Sequence, residues 1–278
     1  MANSVAIIIV TFNSDVFFAD CLAFIFGQNF LPAQVIIIDN NSSNRDYLKN
    51  QQIKYPSVKF VFLSKNIGFA AANNLAFNAL SENIDVVLFL NPDAYLPKNY
   101  IEQVIQYFNG ENAADLISGK LLRYNNSENK PTNVIDSTGI VQKWYGRWLD
   151  RGTGEVDSGQ YDSSQYKTIK AVCGAAFIVR KSVLDEVVKK DGYIFNEKFF
   201  MYKEDIELSL RIARLGYKIE YIPHLVAYHC RGWKKRSDIS FLAKKYSARN
   251  DVLVAWSFSK KALPYALFKY LLFFLFRF

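Results

Sequence analysis

The sequence predicts an α/β fold: a doubly wound sheet with helices on both faces and a helical extension at the C-terminus. Three observations predict it. Short, continuous, β-branched apolar runs alternate with helix-length segments through the N-terminal part of the chain. Each run is bounded by a polar turn, as expected of parallel strands buried on both faces. The tail from Ala262 onward is almost wholly apolar.

Strands are expected over residues 5–10, 35–38, 58–63 and 85–90, with crossover helices over 16–26, 43–51 and 69–80. Residues 109–166 are less regular, rich in Asn, Ser, Gly and Asp, and read as strands and loops around a site, including an acceptor-facing flap. Residues 168–179 form another apolar run, through Cys173-Gly174-Ala175-Ala176. A helix over 203–216 opens with Glu204 and Asp205 in its first turn, where the dipole favours acids, and closes at Gly216. A strand over 218–222 is expected to stop at Pro223, and residues 240–257 read as a helix. These features divide the chain into a large α/β domain, 1–258, and a terminal helix, 259–278.

Half of the 278 residues are hydrophobic and 22% are charged, which excludes a disordered chain. Net charge is +8, and nine Lys/Arg between Arg231 and Lys261 face only Asp238 and Asp251. Such a segment suits phosphates or acidic lipid, or is simply a solvated basic face. No nucleic-acid-binding module is present, so nucleic acid is not an expected partner. The three cysteines form no CxxC pair, which supports neither a zinc cluster nor a disulfide framework and fits a reducing, cytosolic compartment. The run at 5–10 passes directly into polar Thr11–Asp15 and reads as a strand, not a signal peptide.

In doubly wound sheets, ligands bind beyond the carboxyl ends of the strands. The loops there are Thr11-Phe12-Asn13-Ser14, Asp39-Asn40-Asn41-Ser42, Lys65-Asn66-Ile67-Gly68 and Asn91-Pro92-Asp93. Neither GxGxxG nor GxxxxGK[ST] occurs, which excludes a dinucleotide dehydrogenase and a P-loop NTPase. The GxSxG elbow and HExxH are also absent. Asp93 suits a hard Mg or Mn ion shared with a diphosphate, or a turn. Asp39 suits a base or ribose contact, or a helix cap. Glu204 and Asp205, beside Phe199-Phe200-Met201-Tyr202, are candidate general bases, or dipole partners of the helix start. His229 is a candidate metal or phosphate ligand, or a satisfied structural histidine; His224, beside Pro223, reads as structural.

Seven segments in order carry a resemblance. They are Ile7-Ile8-Ile9-Val10-Thr11-Phe12-Asn13-Ser14, Val35-Ile36-Ile37-Ile38-Asp39-Asn40-Asn41-Ser42-Ser43, Asn66-Ile67-Gly68-Phe69-Ala70-Ala71-Ala72-Asn73-Asn74 and Leu88-Phe89-Leu90-Asn91-Pro92-Asp93, then Gly174-Ala175-Ala176-Phe177, Phe200-Met201-Tyr202-Lys203-Glu204-Asp205-Ile206-Glu207-Leu208 and His229-Cys230-Arg231-Gly232, with Arg249-Asn250 beyond. Over residues 5–255 the chain resembles the family 2 inverting glycosyltransferases, in particular a rhamnosyltransferase-like branch that builds bacterial surface polysaccharides. The resemblance implies the GT-A fold, a Rossmann-like doubly wound mixed sheet. It implies that Thr11, Asn13 and Asp39 contact the nucleotide of a dTDP- or UDP-sugar, with dTDP-rhamnose the first choice. Asn66, Gly68 and Asn74 then shape that site. Asn91 stands where many relatives carry an acid, leaving Asp93 as the loop's carboxylate for Mg or Mn. Asp205 becomes the catalytic base of a single displacement at the anomeric carbon. Two further departures are Lys203, where the branch often has Gly, and Lys234, where Ser is common.

The alternatives are a nucleotidyltransferase, which wants a Gly-rich basic loop after the first strand, and a non-catalytic membrane- or polysaccharide-binding protein. Thr11-Phe12-Asn13-Ser14-Asp15 lacks Gly and Lys, and retention of Asp39, Asp93 and Asp205 together argues against lost activity. The tail is too short to span a bilayer and carries Lys269 near its middle. Leu267, Leu271, Phe274 and Phe278 recur at helical spacing behind Lys260 and Lys261, which suits a membrane surface; the alternative is a helix packed on the domain. A peripheral position on the cytoplasmic face of the membrane, and a glycan or polyprenyl-diphosphate-linked acceptor, follow as expectations.

Overall fold

The computed structural model describes residues 1–230 and 240–276. Arg231, Lys234, Lys235, Arg236 and Asp238 of the basic run, and Phe278 of the tail stripe, lie outside the described residues.

Parallel strands β1 (Val5–Thr11), β2 (Gln34–Asp39), β3 (Lys59–Phe62) and β4 (Val86–Leu90) form one half of the main sheet, in the order β3-β2-β1-β4. Every residue of β1 and β4 is buried, as a strand covered on both faces requires. Ile7 and Ile9 face one core, with Phe18 and Leu22 of α1 (Asp15–Phe26) and Leu48 of α2 (Asp46–Lys54). Ile8 and Val10 face the other, with Ala70, Ala72 and Ala76 of α3 (Phe69–Phe77). The helix expected from residue 43 starts at Asp46; upstream of it the Ser43 N–H donates to the Asn13 side chain (2.8 Å).

The other half is mixed. After the short strand β5 (Ala94–Tyr95) and helix α4 (Tyr100–Phe108) come β6 (Leu116–Asn125) and β7 (Lys130–Ser137), a hairpin. β10 (Ala176–Arg180) inserts antiparallel between β4 and β6 and is followed by α5 (Lys181–Asp191). α6 (Glu204–Arg214) leads into β11 (Ile219–His229), which pairs with β6 and β5. A separate two-stranded ribbon, β8 (Ile140–Gln142) with β9 (Trp148–Asp150), stands where the flap is expected.

Pro223 does not end its strand. β11 runs to His229, with a register shift between Ile222 and Val226 that takes the proline out of the ladder. The bulge brings the Leu225 carbonyl onto Gly119 of β6, where a Cβ has no room. His229 thereby reaches the end of the sheet that carries the ligand loops.

Helix α7 (Phe241–Phe258) is capped by Ser240, whose hydroxyl accepts the Ala243 N–H (3.2 Å), and packs against α8 (Leu263–Phe276). The two sides of α8 differ in burial. Ala266 and Phe273 are buried against the domain, while Leu267, Phe268, Leu271, Phe274 and Leu275 are exposed. No described helix is long and apolar enough to cross a membrane.

Candidate active site

At the carboxyl ends of β1, β2 and β4 lies a cavity of about 380 Å³, lined by Thr11, Asn66, Gly68 and Asn91 and by Asp205 and His229 from the distant C-terminal half. With Glu204, which also lines it, seven of the sequence-predicted residues thus meet at one edge.

Asn13, Asp39, Asn74 and Asp93 are placed differently. Asn13 sits at φ 52°, donates its N–H to Ser42 Oγ (2.8 Å) and so ties the first two loops together. The Asp39 side chain is fully buried, bonds Arg45 Nε at 2.6 Å and accepts the Ser42 N–H at 3.0 Å. Arg45, absent from the sequence-derived candidates, neutralises it and also reaches the Leu63 carbonyl, fixing the loops after β2 and β3 together. The Asn74 amide is committed to the Phe195 backbone, donating to its carbonyl and accepting its N–H, each at 2.8 Å.

Gly68 has a sharp steric requirement. Its φ is 87°, and an added Cβ would lie 2.6 Å from Phe200 Cδ2. The Phe69 N–H donates to the Phe200 carbonyl (2.7 Å), so the start of α3 clasps the loop that carries the acids. That loop is strained: Tyr202 and Lys203 are both left-handed, at φ 67° and 70°. Asn250 of α7, wholly buried, holds it by donating to the Met201 and Tyr202 carbonyls at 2.9 and 2.8 Å.

The loop delivers Asp205 with a defined orientation. Gly174 N–H donates to Oδ2 and Ile206 N–H to Oδ1, each at 2.8 Å. Burial raises the Asp205 pKa above its ordinary value, against the pull of Lys203 and both N–H groups. Its neighbour Glu204 is pushed up to about 8 by burial and by the Asp205 charge.

His229 is buried between two acids. Nδ1 lies 2.8 Å from Asp136 Oδ2, and Nε2 lies 3.3 Å from Asp93 Oδ1. Burial opposes its charge, but Asp93 and Asp136 outweigh burial and raise its pKa to about 9. Burial likewise opposes the Asp93 charge and is outweighed by His229, which draws that carboxyl below its usual value. One imidazole nitrogen held by a carboxylate, the other turned to a second acid, is a donor set that fits a divalent ion. No cluster of three His, Cys, Asp or Glu able to hold a metal occurs among the described residues. The protein would therefore supply Asp93 and His229, with the remaining ligands from diphosphate and water.

Comparison with known proteins agrees with this architecture. An N-acetylglucosaminyltransferase of Mesorhizobium japonicum is 27% identical over 214 residues, 75% of this chain and 47% of that protein. A low-salt glycan biosynthesis hexosyltransferase of Haloferax volcanii is 26% identical over 231 residues, 82% of this chain and 68% of the relative. The chain spans about half the length of several of these curated relatives. Among solved structures, GalNAc-T7 with UDP, GalNAc and Mn2+ aligns with a TM-score of 0.67 at 16% identity, covering 92% of this chain and 49% of that one. A mannosyltransferase of Pyrobaculum calidifontis in complex with GDP-Man and Mn2+ aligns at 0.61 and 14% identity, covering 97% and 74%. S. aureus TarS 1–349 in complex with UDP-GlcNAc aligns at 0.57 and 19%, covering 99% and 73%. These likenesses establish the GT-A fold. Residues 6–188 match the family model described as Glycosyl transferase family 2, and the chain belongs to that family.

Proposed function

We propose that this chain moves a sugar from a nucleoside diphosphate donor onto a hydroxyl acceptor in a single inverting displacement. The observation that carries the reading is Asp205: a half-buried carboxylate, oriented through both oxygens by backbone N–H groups, in a cavity bounded by the loops that follow β1, β2 and β4. Thr11 and the Asn13–Ser42 and Asp39–Arg45 tethers preorganise the loops that receive the nucleotide. Asp205 accepts the acceptor's hydroxyl proton as that oxygen attacks the anomeric carbon. Its raised pKa makes it a stronger base than a solvated aspartate. Asp93 and His229 would hold Mg or Mn, which when bound supplies positive charge to the departing diphosphate.

The donor we favour is a UDP-N-acetylhexosamine. Relatives named N-acetylglucosaminyltransferase, and a fold neighbour holding UDP-GlcNAc, support it over the dTDP-rhamnose implied by the branch resemblance. The acceptor is a saccharide, free or lipid-linked, of a surface polysaccharide, and α8 holds the enzyme at the cytoplasmic face of the membrane.

The test is a donor screen with purified protein, scoring nucleoside diphosphate release from UDP-GlcNAc, dTDP-rhamnose and GDP-mannose with Mn, Mg or chelator. Release is expected first from UDP-GlcNAc and to be lost with chelator and in Asp93→Ala. Release from no donor under any condition would refute the activity.

A further inference from the structure

Lys203 stands at an unfavourable place for a lysine. Its φ is 70°, in the left-handed region that glycine enters freely and lysine only under strain. A glycine would serve the turn better, so what the lysine adds is its ammonium. The side chain is 19% exposed. It lines both the catalytic cavity and a cleft of about 760 Å³ that adjoins it, between the β8–β9 ribbon, α7 and α8.

Charges from four elements gather around this residue. Glu204 and Asp205 open α6, Asp150 comes from β9, Asp251 from α7 and Lys269 from α8. His229 lines the catalytic cavity with them. Asp251 is buried and divides its carboxylate between two lysines. Oδ2 bonds Lys269, while Oδ1 lies 3.7 Å from the Lys203 ammonium, beyond hydrogen-bonding distance. Lys269 therefore takes the larger share of the Asp251 charge, and the Lys203 charge is left to act on the neighbouring acids. It opposes burial at both Glu204 and Asp205, and at Asp205 it is the largest of the influences that draw the carboxyl down. Asp150 pushes Asp205 the other way.

We propose that Lys203 is a positioning residue for the base: its charge keeps Asp205 ionised inside the cavity, and Lys269 of α8 frees it for that task by holding Asp251. The role of Asp205 as base rests on the glycosyltransferase reading above. A carboxyl in a desolvated cavity tends to keep its proton, and a protonated carboxyl cannot accept another. Burial makes Asp205 a strong base once ionised, and Lys203 keeps the ionised form populated at neutral pH. Loss of Lys269 turns the Asp251 charge onto Lys203 and weakens this effect. Loss of Asp251 strengthens it. Two ion pairs thus couple α8 to the chemistry.

The experiment follows Asp205 directly. Full chain labelled with 13C at aspartate carboxyls is titrated with acid, the Asp205 signal being assigned by its loss in Asp205→Asn. The midpoint should move to higher pH in Lys203→Met and in Lys269→Met, to lower pH in Asp251→Asn, and stay near wild type in Lys203→Arg, which keeps the cation. Opposite signs from the two partners of one ion pair are not expected of a structural role. Release of UDP from UDP-GlcNAc with Mn, water standing in for the acceptor, gives a second reading. Asp205 works above its midpoint, so a raised midpoint removes activity from the acid side first. The ratio of release at about pH 6 to release at about pH 8 should fall about threefold or more in Lys203→Met and change less than about twofold in Lys203→Arg.

An unmoved Asp205 midpoint in Lys203→Met would overturn the assignment. A shift there with none in Lys269→Met and Asp251→Asn would overturn the part given to α8. Should Lys203→Met fail to fold, Lys269→Met and Asp251→Asn carry the same test with the loop intact, and equal signs from those two would refute the proposal. Absence of UDP release from the wild-type chain would instead sink the glycosyltransferase reading, while the carboxyl titration still decides whether Lys203 and Lys269 set the charge of Asp205.

Discussion

Asp205 accepts two backbone N–H bonds, and the one from Gly174 depends on a neighbour that tolerates little change. An added Cβ at Gly174 would stand 3.0 Å from Asp205 Oδ2. Asp205→Asn keeps the size of the side chain and removes the base. Transfer kcat is expected to fall by roughly 10²–10⁴-fold with donor affinity little altered; a drop below about tenfold would move the base role elsewhere. Glu204 allows a separate test through stability. Its folded pKa is about 8, against an ordinary value of 4.5. Between those values the folded chain binds more protons than the unfolded one, so this residue's contribution to stability falls as pH rises. His229, raised from 6.5 to about 9, acts in the same direction at higher pH. Glu204→Gln should therefore give a shallower fall of melting temperature across the Glu204 window, and an unchanged slope would refute the raised pKa. The candidate acids were visible in the sequence because each follows a strand or opens a helix. Arg45 and Asp136 were not, because their roles depend on which loops the fold brings together: Asp136 lies 93 positions from the histidine it orients.

At the scale of elements, the first four strands are legible because β-branched apolar runs buried on both faces have little else to become. The second half is harder. β10 enters antiparallel, β11 passes a proline by means of a bulge matched to Gly119, and α4 and α5 lie outside the segments assigned from sequence. Helix α7 shows the largest gap between pattern and role. Arg249-Asn250 can be recognised as a motif, but nothing in its spacing says that Asn250 pins the carbonyls of Met201 and Tyr202, 49 and 48 positions earlier. Asn250→Ala removes both bonds to half-exposed carbonyls, a cost of about 0.5–1.5 kcal/mol for each. The release should act locally as well as globally. Transfer should fall more than about tenfold at temperatures where the variant is still folded, while UDP binding persists. If activity tracks only the folded fraction, Asn250 is a packing residue and not a latch for the loop of the base.

At the scale of the whole molecule, charge and apolar surface gather around the C-terminal helices. The chain carries +8, with Lys260 and Lys261 exposed at the start of the tail. Beyond them α8 turns Leu267, Phe268, Leu271, Phe274 and Leu275 outward, each more than half exposed. Its inner side is committed to the domain through Ala266, Phe273 and the Lys269–Asp251 pair, so deleting the helix would confound anchoring with unfolding. A cleaner test changes only the outward side. Leu267→Ser/Leu271→Ser/Phe274→Ser removes apolar area available to an interface at roughly 25 cal/mol per Å², and leaves the inner contacts intact. Flotation with phosphatidylcholine–phosphatidylglycerol vesicles should fall about tenfold or more, with melting temperature unchanged. Added salt should weaken wild-type flotation, because Lys260 and Lys261 contribute through screened attraction to anionic lipid. A triple variant that floats as well as wild type would remove the membrane from the account and leave the exposed face of α8 for another partner.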